Sequence, residues 1–354
     1  MSGAAGERRR GRGASSNPAN RYAATCTEAV DDGWHQEPLP PLATTLTRDA
    51  TRSVIARNDS PDIPFDRAIN PYRGCEHGCI YCYARPGHAW LGHSPGLDFE
   101  TRLYAKADAA ARLEEELAAP GYRCAPIALG SYTDVYQPVE RTQRITRSLL
   151  EVLARCGHPV TLVTKSALVE RDLDLLGDMA ARGLVQVRFS IATLRPEVAR
   201  QLEPRAASPA RRLQAIERVR AAGVPVGVLV APVIPVLTDP EMEKVLVAAR
   251  EAGAREADYV LLRLPLEVAA LFREWLSAHF PGEAARVMAR VQDTRGGRDD
   301  DPRFARRMVG TGVYADLLAK RFRVAAARLG FGNLPPLRAD RFRPPARGGQ
   351  LALF

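Results

Sequence analysis

The sequence is short of lysine, of cysteine and of long apolar runs. Only four of its 50 basic residues are lysines, and only six of its 354 residues are cysteines. No stretch reaches the roughly 18 consecutive apolar residues of a membrane-spanning helix, so no membrane association is expected. The arginine-rich N-terminus lacks the apolar core of a secretory signal. Nothing else marks a secreted, disulfide-bonded chain, so we expect a cytoplasmic protein whose thiols stay reduced.

The net charge of +9 is concentrated at the two ends of the chain. Residues 1–20 and residues 337–354 each carry four arginines against one carboxylate, which is +3 at each end and leaves +3 for the body. Basic ends can hold nucleic acid through its phosphates, although solvated arms are the commoner reason for such charge. We predict a disordered or extended basic arm over residues 1–50 and a basic tail over 337–354.

Between these ends, short apolar strands alternate with amphipathic helices. A first strand is predicted to end near Tyr72, and five more are predicted at 126–130, 160–164, 185–191, 226–230 and 259–264. The predicted helices that follow the strands are at 108–117, 145–154, 173–181, 209–222, 241–252 and 266–280. Six such units predict an α/β fold, a partial (β/α)6 barrel of the TIM type with parallel strands, over residues 51–283. Two further helices, at 284–291 and 313–329, predict a C-terminal helical extension over 284–336.

One loop, NPYRGCEHGCIYCY at 70–83, holds Cys75, Cys79 and Cys82. Thiolates this close in sequence can share one metal centre, and both zinc and cubane iron–sulfur clusters normally take four ligands. The next cysteine, Cys124, comes some forty residues later. The spacing therefore favours a cluster with three thiolates and one iron left open for an exogenous ligand.

A structural zinc site is the alternative interpretation of the same loop. It would need His77 or His88 as the fourth ligand. Zinc sites usually present their ligands as two separated pairs, and no second pair is present in this sequence.

Polar residues follow several of the predicted strands, where α/β barrels place their active sites. Lys165 stands at the end of the third strand of a chain that supplies nearly all its cations as arginine, which favours a specific role. Ser131 and Ser190 hold similar positions, with helix capping as the plain alternative. The second strand leads into Tyr132 and Tyr136.

Six segments spread over residues 53–330 extend this pattern: NPYRGCEHGCIYCYARP, GSYTDVYQPVE, TKSALVERDLDLL, FSIATL, LEPRAASPARRL and VAPVIPVLTD. They resemble the radical S-adenosylmethionine (SAM) superfamily and, within it, a bacterial family related to spore photoproduct lyase, often grouped as DNA repair photolyase. The resemblance implies that Cys75, Cys79 and Cys82 hold a [4Fe–4S] cluster whose fourth iron is chelated by SAM. The SAM-binding residues that it implies are Tyr81, Ser131, Glu140, Lys165, Ser190 and Arg212.

One of these assignments, Glu140, departs from the family pattern. Glu140 stands where the SAM-binding acidic residue is usually found, but Gly130 and Ser131 replace the usual Gly-Gly-Glu motif. Arg212 is a candidate for the SAM carboxylate.

The implied activity is reductive cleavage of SAM to methionine and a 5′-deoxyadenosyl radical, which abstracts hydrogen from an unassigned substrate. A flavodoxin- or ferredoxin-like electron donor is the implied partner, and nucleic acid is a candidate substrate. The competing function is a nonenzymatic nucleic-acid-binding protein that carries zinc or a cluster.

Spore photoproduct lyase also uses a further cysteine as a hydrogen donor. Here Cys26, Cys124 and Cys156 are all poorly placed for that role, so thymine-dimer repair is not implied. Tyr132 or Tyr136 could serve as the donor, or as a stacking surface for a base.

Overall fold

The structure, a computed structural model, describes residues 11–23 and 42–346. Its strands are β1 (Thr45–Arg48), β2 (Ile55–Arg57), β3 (Arg67–Ile69), β4 (Tyr72–Arg73), β5 (Arg102–Ala105), β6 (Ile127–Leu129), β7 (Val160–Thr164), β8 (Val185–Ser190), β9 (Val226–Val233) and β10 (Glu256–Leu261). Seven of them form the main sheet in the order β10-β9-β8-β7-β6-β3-β2. The pairs from β3 through β10 are all parallel, and only β2 at the edge runs antiparallel. The predicted six-stranded parallel barrel is confirmed.

The strands are short apolar runs because both of their faces are covered. All three residues of β6 and five of the six residues of β8 are buried. Helices follow the strands along the chain and pack on the outside of the sheet. The α-helices are α1 (Asp98–Thr101), α2 (Ala109–Leu117), α3 (Glu140–Gln143), α4 (Ile145–Arg155), α5 (Leu173–Ala181), α6 (Pro196–Leu202), α7 (Pro209–Ala221), α8 (Met242–Ala252), α9 (Glu267–His279), α10 (Ala284–Asp293) and α11 (Val313–Arg328). Within the described ranges, no helix is both long enough and apolar enough to cross a bilayer.

The predicted end of the first barrel strand, near Tyr72, is wrong. The barrel strand β3 stops at Ile69, and after Asn70 and Pro71 the chain enters β4, which belongs to a separate three-stranded sheet of order β1-β5-β4. Pro71 lacks an N–H to donate to a ladder, and its carbonyl instead accepts from the Lys106 N–H at 3.0 Å. The small sheet lies directly before the cysteine loop and anchors its start.

The described parts of the N-terminal arm are extended and packed on the barrel. Gly13 and Ala14 donate their backbone N–H groups to the Glu100 carboxylate, each at 2.9 Å. Ser15 and Ser16 donate to the two carboxylate oxygens of Glu274, each at 2.6 Å. Residues 45–48 form β1 and pair with β5. The remaining residues of the arm, 1–10 and 24–41, lie outside the described residues.

The start of the basic tail is also attached to the barrel. Arg338 donates its backbone N–H to the Gly183 carbonyl at 2.9 Å, and Arg343 donates to the Cys156 carbonyl at 2.8 Å. Residues 347–354 lie outside the described residues. The domain boundaries at 50, 283 and 336 stay predictions.

Candidate active site

Hydrogen bonds from Gln137, in the connection that follows β6, fix the backbone of the cysteine loop. Gln137, fully buried, accepts from the Glu76 N–H at 2.8 Å and donates to the Gly74 carbonyl at 3.2 Å. Gly74 has a φ of 77°, and a side chain there would meet Leu103 and the Phe99 carbonyl. The backbone is therefore fixed before the first cysteine.

Cys75, Cys79 and Cys82 are all free thiols on this loop. Burial raises the pKa of each, and the pKa of Cys79 reaches about 12 although the Lys165 ammonium acts in the opposite direction. Because the thiolate is the form that binds iron, loading this site must release protons. Cys82 packs against the apolar cluster that contains Cys79 and against the one that contains Cys75.

The donor set fits an iron–sulfur cluster. Across residues 11–23 and 42–346, no three His, Cys, Asp or Glu side chains converge on a point that a single metal ion could occupy. A cubane needs no such convergence, because each thiolate binds a different iron. The histidines that a zinc site would need have other partners: His77 Nδ1 lies 3.3 Å from the Asp134 carboxylate, and His88 Nε2 lies 2.9 Å from the Arg102 carbonyl.

A buried charge cluster lies beside the loop, around Glu203. Its carboxylate accepts from the Tyr81 hydroxyl and from the Arg212 guanidinium, and both charged side chains are almost fully buried. Arg212 also donates to the carbonyls of Ser190 and Ala207, both at 2.8 Å. Burial alone would raise the pKa of Glu203, but Arg212 and then Lys165 outweigh it and lower that pKa, so the carboxylate stays ionised.

Lys165 adds the second cation to this cluster. Its ammonium lies 5.9 Å from the centre of the Tyr81 ring, in the range of a cation–π contact. Burial lowers the pKa of Lys165, but Cys79 and Glu203 outweigh that effect and raise it overall. Lys165 makes no hydrogen bond through its ammonium to any residue that the structure describes. Glu203 and Asp134 both act on Lys165 as counter-charges, so two carboxylates face the two cations. The Lys165 ammonium, with no hydrogen bond to the described residues, is the group that can bind an anionic ligand.

Connections between elements bring these residues together. The Ile80 N–H, between two of the cysteines, donates to the Leu202 carbonyl at the end of α6, one residue before Glu203. The Ala207 N–H donates to the Lys165 carbonyl at 3.3 Å. The segment after α6 therefore joins the cysteine loop to the end of β7.

The two serines lie at strand ends, as predicted. Ser190 closes β8, is 2% exposed and donates to the Ala231 carbonyl at 2.9 Å. Ser131 follows β6, where its hydroxyl accepts from Asn70 at 3.3 Å and its carbonyl accepts from the Tyr83 hydroxyl. Neither serine caps a helix.

Glu140 lies within a network of buried hydrogen bonds. It is fully buried, and its carboxylate accepts from the Tyr72 hydroxyl at 2.5 Å, from the Thr146 N–H at 3.1 Å and from Arg171 at 2.7 Å. Because Tyr72 belongs to β4 and Thr146 to α4, the Glu140 carboxylate links the small sheet to the start of α4. The SAM contact of Glu140 stays a prediction.

The two tyrosines after β6 also differ from each other. Tyr136 is fully buried and donates to Asp172 at 3.1 Å, so its ring is part of the core and cannot stack on a ligand. Tyr132 is 40% exposed and makes an edge-on contact with Tyr83 at 6.1 Å between ring centres. Only Tyr132 retains the predicted stacking surface.

Sequence reasoning did not select Glu203 or Asp134. Glu203 stands in the segment LEPRAASPARRL, so its signal was available, but it follows a helix rather than a strand. Asp134 accepts from the Lys165 N–H at 2.7 Å and from Thr164 at 2.8 Å. Burial raises the pKa of Asp134, but His77 and the backbone N–H groups of Lys165 and Tyr136 lower it overall to about 2.

Cys124 and Cys156 lie at the end of the sheet opposite the cysteine loop. Cys156 is buried at the C-terminal end of α4, which leads into the start of β7, and Cys124 precedes β6. Both therefore lie at the N-terminal ends of strands, opposite the loop. Cys26 lies outside the described residues.

Residues 69–249 match the sequence pattern of the Radical SAM superfamily, and that range contains every predicted site residue. The chain belongs to this superfamily, whose members are enzymes that use SAM and a [4Fe–4S] cluster. Its fold is that of spore photoproduct lyase. The complex of that enzyme with a dinucleoside spore photoproduct matches with a TM-score of 0.56 and 20% identity, over 81% of this chain and 80% of the lyase. A lyase variant with bound SAM (AdoMet) and the same photoproduct matches with a TM-score of 0.55 and 18% identity, over 81% of this chain and 80% of that one.

Relatives that are closer in sequence carry no assigned activity. An uncharacterized protein of Mycobacterium tuberculosis is 38% identical over 226 residues, which is 63% of this chain and 66% of the relative. An uncharacterized protein of Methanocaldococcus jannaschii is 27% identical over 173 residues, 49% of this chain and 62% of the relative. The matched part thus spans just under two thirds of the length of these curated relatives.

Proposed function

We propose that this enzyme cleaves SAM reductively and abstracts hydrogen from a nucleic acid substrate. The observation that carries the proposal is the cationic pair of Lys165 and Arg212 around Glu203, directly beside Cys79 and Tyr81. When bound, the cluster and SAM supply a 5′-deoxyadenosyl radical for hydrogen abstraction.

The residues of the chain divide this work between them. Cys75, Cys79 and Cys82 would hold the cluster. Lys165 would bind the SAM carboxylate, since its ammonium is free of hydrogen bonds to the described residues. Arg212 would act one step away, by keeping Glu203 ionised and in place.

The neighbouring side chains would orient the rest of SAM. Tyr81 would lie against the adenine, its hydroxyl fixed by Glu203. Ser190 and Ser131 would contact SAM from the ends of β8 and β6. A flavodoxin- or ferredoxin-like protein would supply the electron. Burial of Cys75, Cys79 and Glu203 would limit the access of water to the place where a radical would form.

Nucleic acid is proposed as the substrate because the fold is shared with a lyase solved with a dinucleoside photoproduct. Exposed aromatic rings beside the cysteine loop support it: Tyr83 is 44% exposed and Tyr132 is 40% exposed. Such rings accept bases that have been turned out of their stack.

Anaerobic reconstitution with iron and sulfide tests the proposal. Incubation with SAM and dithionite should release 5′-deoxyadenosine, and single-stranded DNA or RNA should increase its yield or take up deuterium. Cys79→Ala is the matched control and should release none. Stoichiometric zinc without iron would overturn the enzyme and favour the zinc protein, and iron binding without SAM cleavage would overturn the reaction.

A further inference from the structure

A concave site lies beside the cysteine loop, and Lys165 is not among its lining residues. It is a cavity of about 310 Å³, lined in part by Asn70, Arg73, His88, Trp90, Lys106 and Tyr132. Gly74 and Ala84 also line it, and these residues flank Cys75 and Cys82 closely in sequence. The volume is at the lower end of the range of small-molecule sites and suits a single nucleotide unit.

The cavity carries an excess of positive charge. Arg73 is held by Asp49, with 2.7 Å between its Nε and the carboxylate. Lys106 has no ion pair with any residue of the described part of the chain. Burial lowers its pKa, and Asp49, which also serves Arg73, does not restore it. Lys106 is thus a half-buried ammonium without a full counter-charge, in a chain with only four lysines.

One wall of the cavity is a fixed aromatic ring. The Tyr132 hydroxyl donates to the Ala84 carbonyl at 3.0 Å, and the Tyr132 N–H donates to the Asn70 side chain at 2.9 Å. A side chain at Gly87 would lie 1.9 Å from that hydroxyl, so glycine is what lets the ring rest there. The tyrosine is anchored at both ends.

The other aromatic surface is an exposed tryptophan. Trp90 is 73% exposed, and its ring lies 4.6 Å from that of Tyr22, at an interplanar angle of 35°. A large apolar ring left in solvent loses the free energy that burial would give, so a ligand that covers it gains that free energy.

We infer that this cavity binds a phosphate-bearing nucleotide that neighbours the reacting unit in the same strand. Lys106 and Arg73 contact the phosphate, the base stacks on Trp90, and Tyr132 forms a wall of the same cavity. A phosphate accepts from both cations, and a base is the planar group that an aromatic wall receives regardless of sequence. The inference rests on the proposed nucleic acid substrate and adds a binding subsite outside the reacting centre.

Binding of a fluorescein-labelled single-stranded DNA 10-mer to the reconstituted protein, at several salt concentrations, tests this subsite. Lys106→Gln should weaken binding about tenfold and reduce the slope of log affinity against log salt by about 0.7, because one phosphate contact is lost. Lys320→Gln, at an exposed position on α11, is the matched control and should change neither. Both variants should keep the iron content of the parent protein.

Tryptophan emission gives an independent readout of the base. The oligonucleotide should quench the emission of the parent protein, and Trp90→Phe should remove most of that quenching. Unchanged affinity in Lys106→Gln, undiminished quenching in Trp90→Phe, or no oligonucleotide binding by the parent would each overturn the subsite. Release of 5′-deoxyadenosine in the same preparations reports separately on the proposed reaction, so failure of the subsite is distinguishable from failure of SAM cleavage.

Discussion

The two ends of the barrel bury different kinds of groups. At the C-terminal ends of the strands, the buried groups are charges: Glu203 with Arg212, and Asp134 beside His77. At the opposite end the buried cation Arg67 is paired with Asp66, whose side chain is 54% exposed, and the buried His158 beside it is neutral. His158 is fully buried, its Nε2 lies 2.8 Å from the Tyr122 hydroxyl, and Phe342 packs on both rings.

The difference shows where the fold accepts a cost in stability. Buried ions lose much of their hydration energy, and pairing restores it only where the geometry is good. A neutral imidazole with a phenol partner incurs no such loss. The end at which both members of an ion pair are buried is the end with the cysteine loop, as expected where charge serves a ligand rather than the fold.

The largest expected contrast is between cysteines of the two ends. Replacing Cys75, Cys79 or Cys82 with Ala should abolish a stable cubane, because three thiolates are the minimum for a cluster with one open iron. Cys156→Ala and Cys124→Ala should retain full iron content. Iron and sulfide analysis after anaerobic reconstitution measures both, and loss of the cluster in Cys124→Ala would contradict the open-iron arrangement.

The second largest contrast is in the free energy of unfolding that is lost when an ion pair is broken at each end. Glu203→Gln keeps the shape of the side chain but leaves Arg212 buried without a counter-charge, and should lower the free energy of unfolding by about 3–5 kcal/mol. Asp340→Asn breaks the exposed pair with Arg338 at the opposite end and should have little effect. Denaturant titration compares them, and equal losses would show that burial is not what distinguishes the two ends.

A smaller contrast is expected in SAM affinity between variants of a buried lysine and of an exposed lysine. Lys165→Ala should weaken SAM binding about tenfold to a hundredfold, the value of one charged hydrogen bond, with unchanged iron content. Lys320→Ala serves as the exposed control. Equilibrium dialysis with labelled SAM gives the affinities. Parent-like affinity in Lys165→Ala would assign this lysine to the structure alone.

The smallest effect concerns pH at the end opposite the cysteine loop. Burial lowers the pKa of His158 to about 4 from its ordinary value near 6.5, so the unfolded chain binds the proton more readily than the folded one. Stability is therefore lost as the pH falls, by about 2 kcal/mol between pH 7 and pH 5. His158→Gln cannot titrate and should show a shallower fall over that range, measured by denaturant titration at each pH. Parallel curves for the two proteins would exclude His158 as the source.

The sequence predicted what depends on local pattern. Strand β7 and helix α5 were predicted with the bounds that the structure has, because alternating apolar runs and glycine stops define them. The place of Lys165 followed from the rule that strand ends face the site. The partners of Glu140 and Glu203 could not be predicted in this way, since each depends on contacts between residues far apart in sequence. The rule that sites lie at strand ends does not predict that Tyr136 is buried. It also does not select Glu203, because that residue follows a helix.

The attachment of the N-terminal segment has a consequence for the order of assembly during synthesis. Gly13 packs against the Gly78 carbonyl of the cysteine loop, so closely that a side chain at residue 13 would overlap it. Its neighbours Ser15 and Ser16 bind Glu274, which the ribosome adds more than 250 residues later. Residues 13–14 can therefore dock on the cysteine loop early, whereas the attachment of Ser15 and Ser16 is complete only after Glu274 has been added. Deletion of residues 11–16 should uncover the Gly78 carbonyl and change how completely the protein is loaded with iron.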